Sequence, residues 1–241
     1  MTGVALEICI DNVQSLQTAI EAGADRIELC SALALGGLTP GAGLIHLAAK
    51  ASVPVYAMIR PRAGDFEFSG DEIALMCEEI RICAKAGLAG VVTGVSKDSE
   101  LDAAALEKLM GAAGGLGVTL HRVFDLVEDP LRAIDIAADL GIERILTSGG
   151  ATSAQAGIEQ IRRYVEHAND RLAIMPGGGI NASNAAEIIT GTGAREIHGS
   201  FGSKRRPYAP AIRQFGFSET DYLTETDTAS VRAVRNAVRG L

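Results

Sequence analysis

The sequence has no tryptophan, and Phe, Trp and Tyr together make up only 4% of it. Any core must therefore be filled by aliphatic side chains and alanine, which a hydrophobic fraction of 47% can supply. Basic patches are also missing. The formal net charge is −8, and the one basic cluster, Lys204-Arg205-Arg206, is short enough to read as a solvated loop. No basic stretch is interleaved with aromatics, so a nucleic-acid partner is not expected. No apolar run reaches the roughly 18 residues of a membrane span. Leu6–Ile10 is too short for a signal peptide and contains Glu7. Four cysteines in 241 residues do not make a disulfide framework. These absences predict a cytoplasmic protein with no membrane partner.

Glycine is plentiful, at 28 residues, and many glycines follow apolar runs. Short apolar runs alternate with segments of helical periodicity. The runs are 6–10, 26–30, 55–60, 90–94, 117–124, 144–148, 172–176 and 196–198. The helical segments between them fall near 12–22, 44–51, 71–86, 102–110, 154–168 and 181–190, with one opened by Asp129-Pro130 and a last one at 230–238. A similar phrase precedes several strands: Ala22-Gly-Ala-Asp-Arg-Ile27, Ala86-Gly-Leu-Ala-Gly-Val91, Leu140-Gly-Ile-Glu-Arg-Ile145 and Thr192-Gly-Ala-Arg-Glu-Ile197. In each, a glycine ends a helix and a strand follows. Eight such units at this length predict an α/β fold: a single-domain (β/α)8 TIM barrel over 1–241, less regular from about 203. A doubly wound sheet would need Gly-x-Gly-x-x-Gly after the first strand, where the chain reads Cys9-Ile-Asp-Asn-Val13.

Polar residues inside the apolar runs need a reason, because a buried charge is costly unless paired. Barrel sites form at the C-terminal ends of the strands. Strand alternation puts Glu7 with Cys9, Glu28 with Cys30, and Glu196 with His198 on one face each, opposite their aliphatic neighbours. Arg60, Arg62, His121, Arg122, Asp125, Thr147 and Ser148 join them near the strand ends. Glu7, Glu28, Arg60, His121, Glu196 and His198 are the candidates for acid–base work, with a structural ion-pair network as the alternative. Gly177, Gly178 and Gly179 before the seventh helix, with Gly199 and Ser200 after the eighth strand, are candidates for holding a phosphate. Cys9 and Cys30 lie at equivalent places on neighbouring strands, about 4.8 Å apart by sheet spacing. Two thiolates so placed could hold Cu(I), or they could be small buried core thiols. Cys77 and Cys83 sit in the third helix and read as core.

The strings Asp25-Arg-Ile-Glu-Leu-Cys30, Gly36-Gly-Leu-Thr-Pro40, Met58-Ile-Arg-Pro-Arg62, His121-Arg-Val-Phe-Asp125, Ile145-Leu-Thr-Ser-Gly149, Pro176-Gly-Gly-Gly179 and Glu196-Ile-His-Gly-Ser200 stand in one order. Together they resemble the CutC family of copper homeostasis proteins over about residues 4–202. The resemblance implies a (β/α)8 barrel, a cytoplasmic homodimer and a role in copper handling, with Cu(I) at the cysteines matching Cys9 and Cys30. Val123 and Gly41 depart from the family pattern, away from those cysteines. The residues also support a second reading, a TIM-barrel isomerase or lyase for a small phosphorylated or carboxylated metabolite.

Overall fold

The computed structural model describes residues 3–241. Among them, eight parallel strands form the barrel wall: β1 Ala5–Ile10, β2 Arg26–Leu29, β3 Val55–Met58, β4 Gly90–Thr93, β5 Gly117–Leu120, β6 Arg144–Thr147, β7 Ala173–Pro176 and β8 Glu196–Gly199. They pair in the order β8-β1-β2-β3-β4-β5-β6-β7. A single bridge between Gly177 and His198 closes the seam from β7 to β8. Seven helices follow the first seven strands: α1 Val13–Ala22, α2 Ala42–Ala48, α3 Gly70–Ala86, α4 Ala103–Ala113, α5 Pro130–Asp139, α6 Ile158–Ala168 and α7 Ala185–Thr192.

Local chemistry sets the helix ends. Ser69 and Glu72 form a capping box at the start of α3, each side chain accepting from the other residue's backbone N–H. Asp129 accepts from Arg132 N–H at the start of α5, and Pro130 fills the first turn, where its missing donor costs nothing. The core lies between wall and helices and is aliphatic, as the scarcity of aromatics requires. Leu6, Ile8, Ile10, Ile27, Leu29, Leu120, Ile145 and Ile197 are all fully buried.

The expected eight strand–helix units are present, with local differences. β5 stops at Leu120 rather than running to Phe124. The His121 side chain accepts from Val123 N–H at 3.2 Å and turns the chain into a 3-10 helix over Arg122–Leu126. α7 begins at Ala185 rather than 181, because Asn181 and Asn184 bond nearby backbone N–H groups and hold an open turn. The stretch beyond 203 is more ordered than its polarity suggests. Gly202–Pro207 (β9) pairs antiparallel with Tyr222–Thr226 (β10), and a short helix, α8 (Pro210–Gln214), lies between them. The last helix, α9 (Thr228–Ala237), packs between α1 and α7 and completes the outer ring. It buries Val231 and Val234, and Arg235 donates to Val4 O at 3.1 Å. No helix among the described residues is long and apolar enough to cross a membrane.

Candidate functional site

The barrel interior has two polar layers. The one nearer the N-terminal ends of the strands is an ion-pair network. Arg26, the first residue of β2, lies between Glu7 and Glu196 and pairs with both. Arg144, the first residue of β6, reaches Glu196 at 3.2 Å and Glu143 at 3.1 Å. The Tyr56 ring stacks beneath both guanidiniums, and its hydroxyl donates to Glu143 at 2.9 Å. The arginines that neutralise the buried acids are therefore Arg26 and Arg144, not Arg60 and Arg62. Sequence reasoning passed over both, although Arg26 shares a strand face with Glu28 by simple alternation. Glu196 faces this lower layer and not the mouth cavity.

Glu7 links the two layers. Its side chain is fully buried, with Arg26 on one oxygen and His198 Nδ1 donating to the other at 2.8 Å. Burial alone would raise its carboxyl. The His198 hydrogen bond and the Arg26 charge outweigh that and hold it down to about 2.

The upper layer opens at the C-terminal ends of the strands. Register places Cys9 beside Glu28 and Glu7 beside His198. Cys9 Sγ, a Glu28 carboxylate oxygen and a His198 ring nitrogen lie within 4.8 Å of one another, all buried. Cys30 is outside this mutual set. It follows Glu28 by two residues, past the end of β2, and its thiol donates to Glu28 Oε2 at 3.6 Å. The two cysteines are thus staggered along the barrel rather than directly opposite. Both are free thiols. Burial raises both, Cys30 further because Glu28 stands beside it. Burial, reinforced by the nearby Glu7 charge, also raises Glu28. Burial would lower His198, but the Glu28 charge and the hydrogen bond to Glu7 lift it well above an ordinary imidazole.

Around this trio lies a cavity of about 560 Å³, lined by Cys9, Glu28, Arg60, His121, His198 and Ser200 among others. Leu33, Leu35, Met58, Phe66, Leu126 and Leu146 form its apolar wall. Arg122 and Asp125 stand at its edge, paired with each other at 2.7 Å. Asp125 also accepts from Thr147 Oγ1 and from Ser148 N–H, which ties the 3-10 helix to the end of β6. Arg62 faces outward, bonded to Asp65 and Glu72.

The glycines proposed as a phosphate cradle divide by what surrounds them. Gly178 and Gly179 have positive φ, at +100° and +75°, which suits glycine. Gly177 lies so close to Leu146 that a Cβ would clash at 2.5 Å. Gly199 leaves room for the Phe201 ring, 2.7 Å from where a Cβ would be. Of the five, Ser200 lines the mouth cavity.

Three comparisons with known proteins bear on this site. A family model described as "CutC family" matches residues 4–203. A CutC family protein from Photobacterium profundum is 48% identical over 244 residues, covering 98% of this chain and 99% of its own. One from Rhizobium meliloti is 46% identical over 236 residues, covering 98% of this chain and 96% of its own. The crystal structure of CutC from Streptococcus agalactiae superposes with a TM-score of 0.79 at 34% identity, over 82% of this chain and 98% of that one.

Proposed function

This chain belongs to the CutC family of copper homeostasis proteins, and from that premise we propose that it binds Cu(I) as cargo at the barrel mouth. The ligands in this reading are Cys9 Sγ, His198 Nε2 and Glu28. The observation that carries it is the Glu7–His198 hydrogen bond. It commits Nδ1 to a carboxylate and leaves Nε2 to the side shared with Cys9 and Glu28. A histidine oriented by a carboxylate in this way is the usual support of a metal ligand. The donor set fits a cation in a second respect: Glu28 Oε1 is buried with no hydrogen-bond partner. A thiolate and an imidazole suit a soft, low-valent ion, and binding would release the Cys9 proton and the Nε2 proton of His198, whose pKa its acidic neighbours raise. Cys30, on Glu28 Oε2, supplies a second soft donor beside the trio. The reading extends to a homodimer in the cytoplasm, where thiols stay reduced.

An anaerobic Cu(I) titration against a competing chelator tests it. The expected result is one tight site per chain, lost in Cys9→Ala, weakened in His198→Ala and kept in Cys30→Ser. Equal loss in Cys30→Ser would favour a two-thiolate site. Unchanged affinity in Cys9→Ala would overturn the assignment.

A second reading, acid–base isomerisation or lysis of a small phosphorylated or carboxylated metabolite, is favoured by the cavity itself. At about 560 Å³ it is far larger than a single ion needs. Glu28, raised by burial, would carry the proton transfer, with the N–H of a neutral His121 as a hydrogen-bond donor to the bound metabolite.

A further inference from the structure

We propose that the barrel mouth holds a small organic monocarboxylate, with its carboxylate bonded by Arg60 Nε and His121 Nε2 and its apolar body against Leu33, Leu35, Met58 and Leu146. This rests on the second reading above and names its ligand class. It does not depend on copper.

Arg60 is only 5% exposed. Nη1 donates to Leu35 O at 2.9 Å and Gly37 O at 3.2 Å, and Nη2 donates to Gly64 O at 2.8 Å. All three acceptors are neutral carbonyls. Among the described residues no carboxylate pairs with this guanidinium, and its Nε has no partner at all. The fold makes room for the arrangement: a Cβ on Gly36 would sit 3.2 Å from Nη1. A buried cation aligned by carbonyls and left without an anion is costly unless something else supplies the charge.

His121 supplies the second donor. It is 3% exposed, and its Nδ1 accepts from Val123 N–H. The neutral ring therefore carries its proton on Nε2, which is buried and also has no partner. Burial, then the Arg60 charge, lowers its pKa to about 3, so the ring stays neutral at physiological pH.

The two donors flank one side chain. The Phe66 ring centroid is 4.8 Å from the Arg60 guanidinium carbon and 4.7 Å from the His121 ring. Phe66 lies on the loop between β3 and α3 and lines the cavity with both of them. Two N–H donors and one uncompensated positive charge match a carboxylate, which takes two hydrogen bonds and neutralises one charge. A phosphate dianion would leave net negative charge inside, since Arg62 and Arg122 are already committed to carboxylates. The volume is in the ordinary range for a small-molecule site, about 300–1,000 Å³.

The test is equilibrium binding to the metal-free full chain, by calorimetry and by imidazole nitrogen–proton correlation spectra. The probes are phenylacetate and butyrate, with phenylacetamide as the uncharged isostere and inorganic phosphate as the rival anion. The carboxylates are expected to bind and shift the His121 Nε2–H resonance, while the amide does neither. Arg60→Met is expected to weaken binding by about tenfold or more, the scale of one lost charge-assisted hydrogen bond. Binding is expected in the metal-free chain whatever the Cu(I) titration gives, which separates this site from the copper reading. The His121 resonance of the unaltered protein gives the answer even if Arg60→Met fails to fold. Carboxylates that leave that resonance unmoved would overturn the proposal, as would an amide that binds equally well or a response to phosphate alone. Carboxylate binding supports the ligand class, and it is read independently of the acid–base step, which these probes do not undergo.

Discussion

His121 should make the protein acid-sensitive in a calculable way. In the folded state burial and Arg60 hold its pKa at about 3, against 6.5 for a free imidazole. The unfolded chain therefore binds the extra proton first, and stability falls as pH drops through the unfolded value. The loss begins near 6.5 and is complete only below about 3. Between about pH 7.5 and about pH 5 the unfolded histidine gains roughly 1.5 units of protonation free energy that the folded one does not, or about 2 kcal/mol. His121→Asn isolates this contribution. Asparagine can still accept from Val123 N–H but does not titrate, and any packing loss is the same at both pH values. Urea unfolding of both proteins at each pH measures it, provided the slopes against denaturant agree. The advantage of the natural chain over the variant, whatever its sign at neutral pH, is expected to fall by about 2 kcal/mol on acidification. Parallel pH profiles would refute the reasoning and show that His121 is not held neutral by the fold.

Two further outcomes follow from the layers beneath. Arg26→Leu takes their shared cation from the fully buried Glu7 and the half-buried Glu196 and is expected to cost about 3–5 kcal/mol by urea unfolding. Adding Glu7→Gln should recover part of that loss, and a cost for Arg26→Leu below about 1 kcal/mol would show that the network contributes little. Gly37 has φ +85°, and a Cβ there would stand 3.0 Å from Cys30 Sγ. Gly37→Ala is expected to destabilise by about 1–2 kcal/mol, read as a lower urea midpoint, and an unchanged midpoint would count against it.

Much of the architecture was legible because periodicity and turn chemistry are local. The alternation of β2 separates Ile27 and Leu29 from Glu28 and Cys30 without any tertiary information, and the helix-ending glycines mark the units. The family was legible too, since its motifs recur in one order along the chain. The boundaries that shifted did so where a polar side chain bonded its own backbone, as His121 does at the end of β5 and Asn181 and Asn184 do before α7. The C-terminal hairpin was hard to read because its first strand lies mostly exposed and its second is only partly buried, so no apolar alternation marks them.

The sequence by itself determined a repeated βα unit, an aliphatic core and a set of polar residues directed inward. What it could not determine was which of those residues meet. That depends on the stagger between neighbouring strands, which alternation does not encode. Register set Cys9 beside Glu28 instead of Cys30, and brought Arg26 and Arg144 to the acids. It left Arg60 with neutral carbonyls and no acid partner. Closure of the barrel then joined residues 191 apart in the chain, Glu7 and His198. A strand's residue types fix what it presents to the axis, but only the closed sheet fixes what stands opposite.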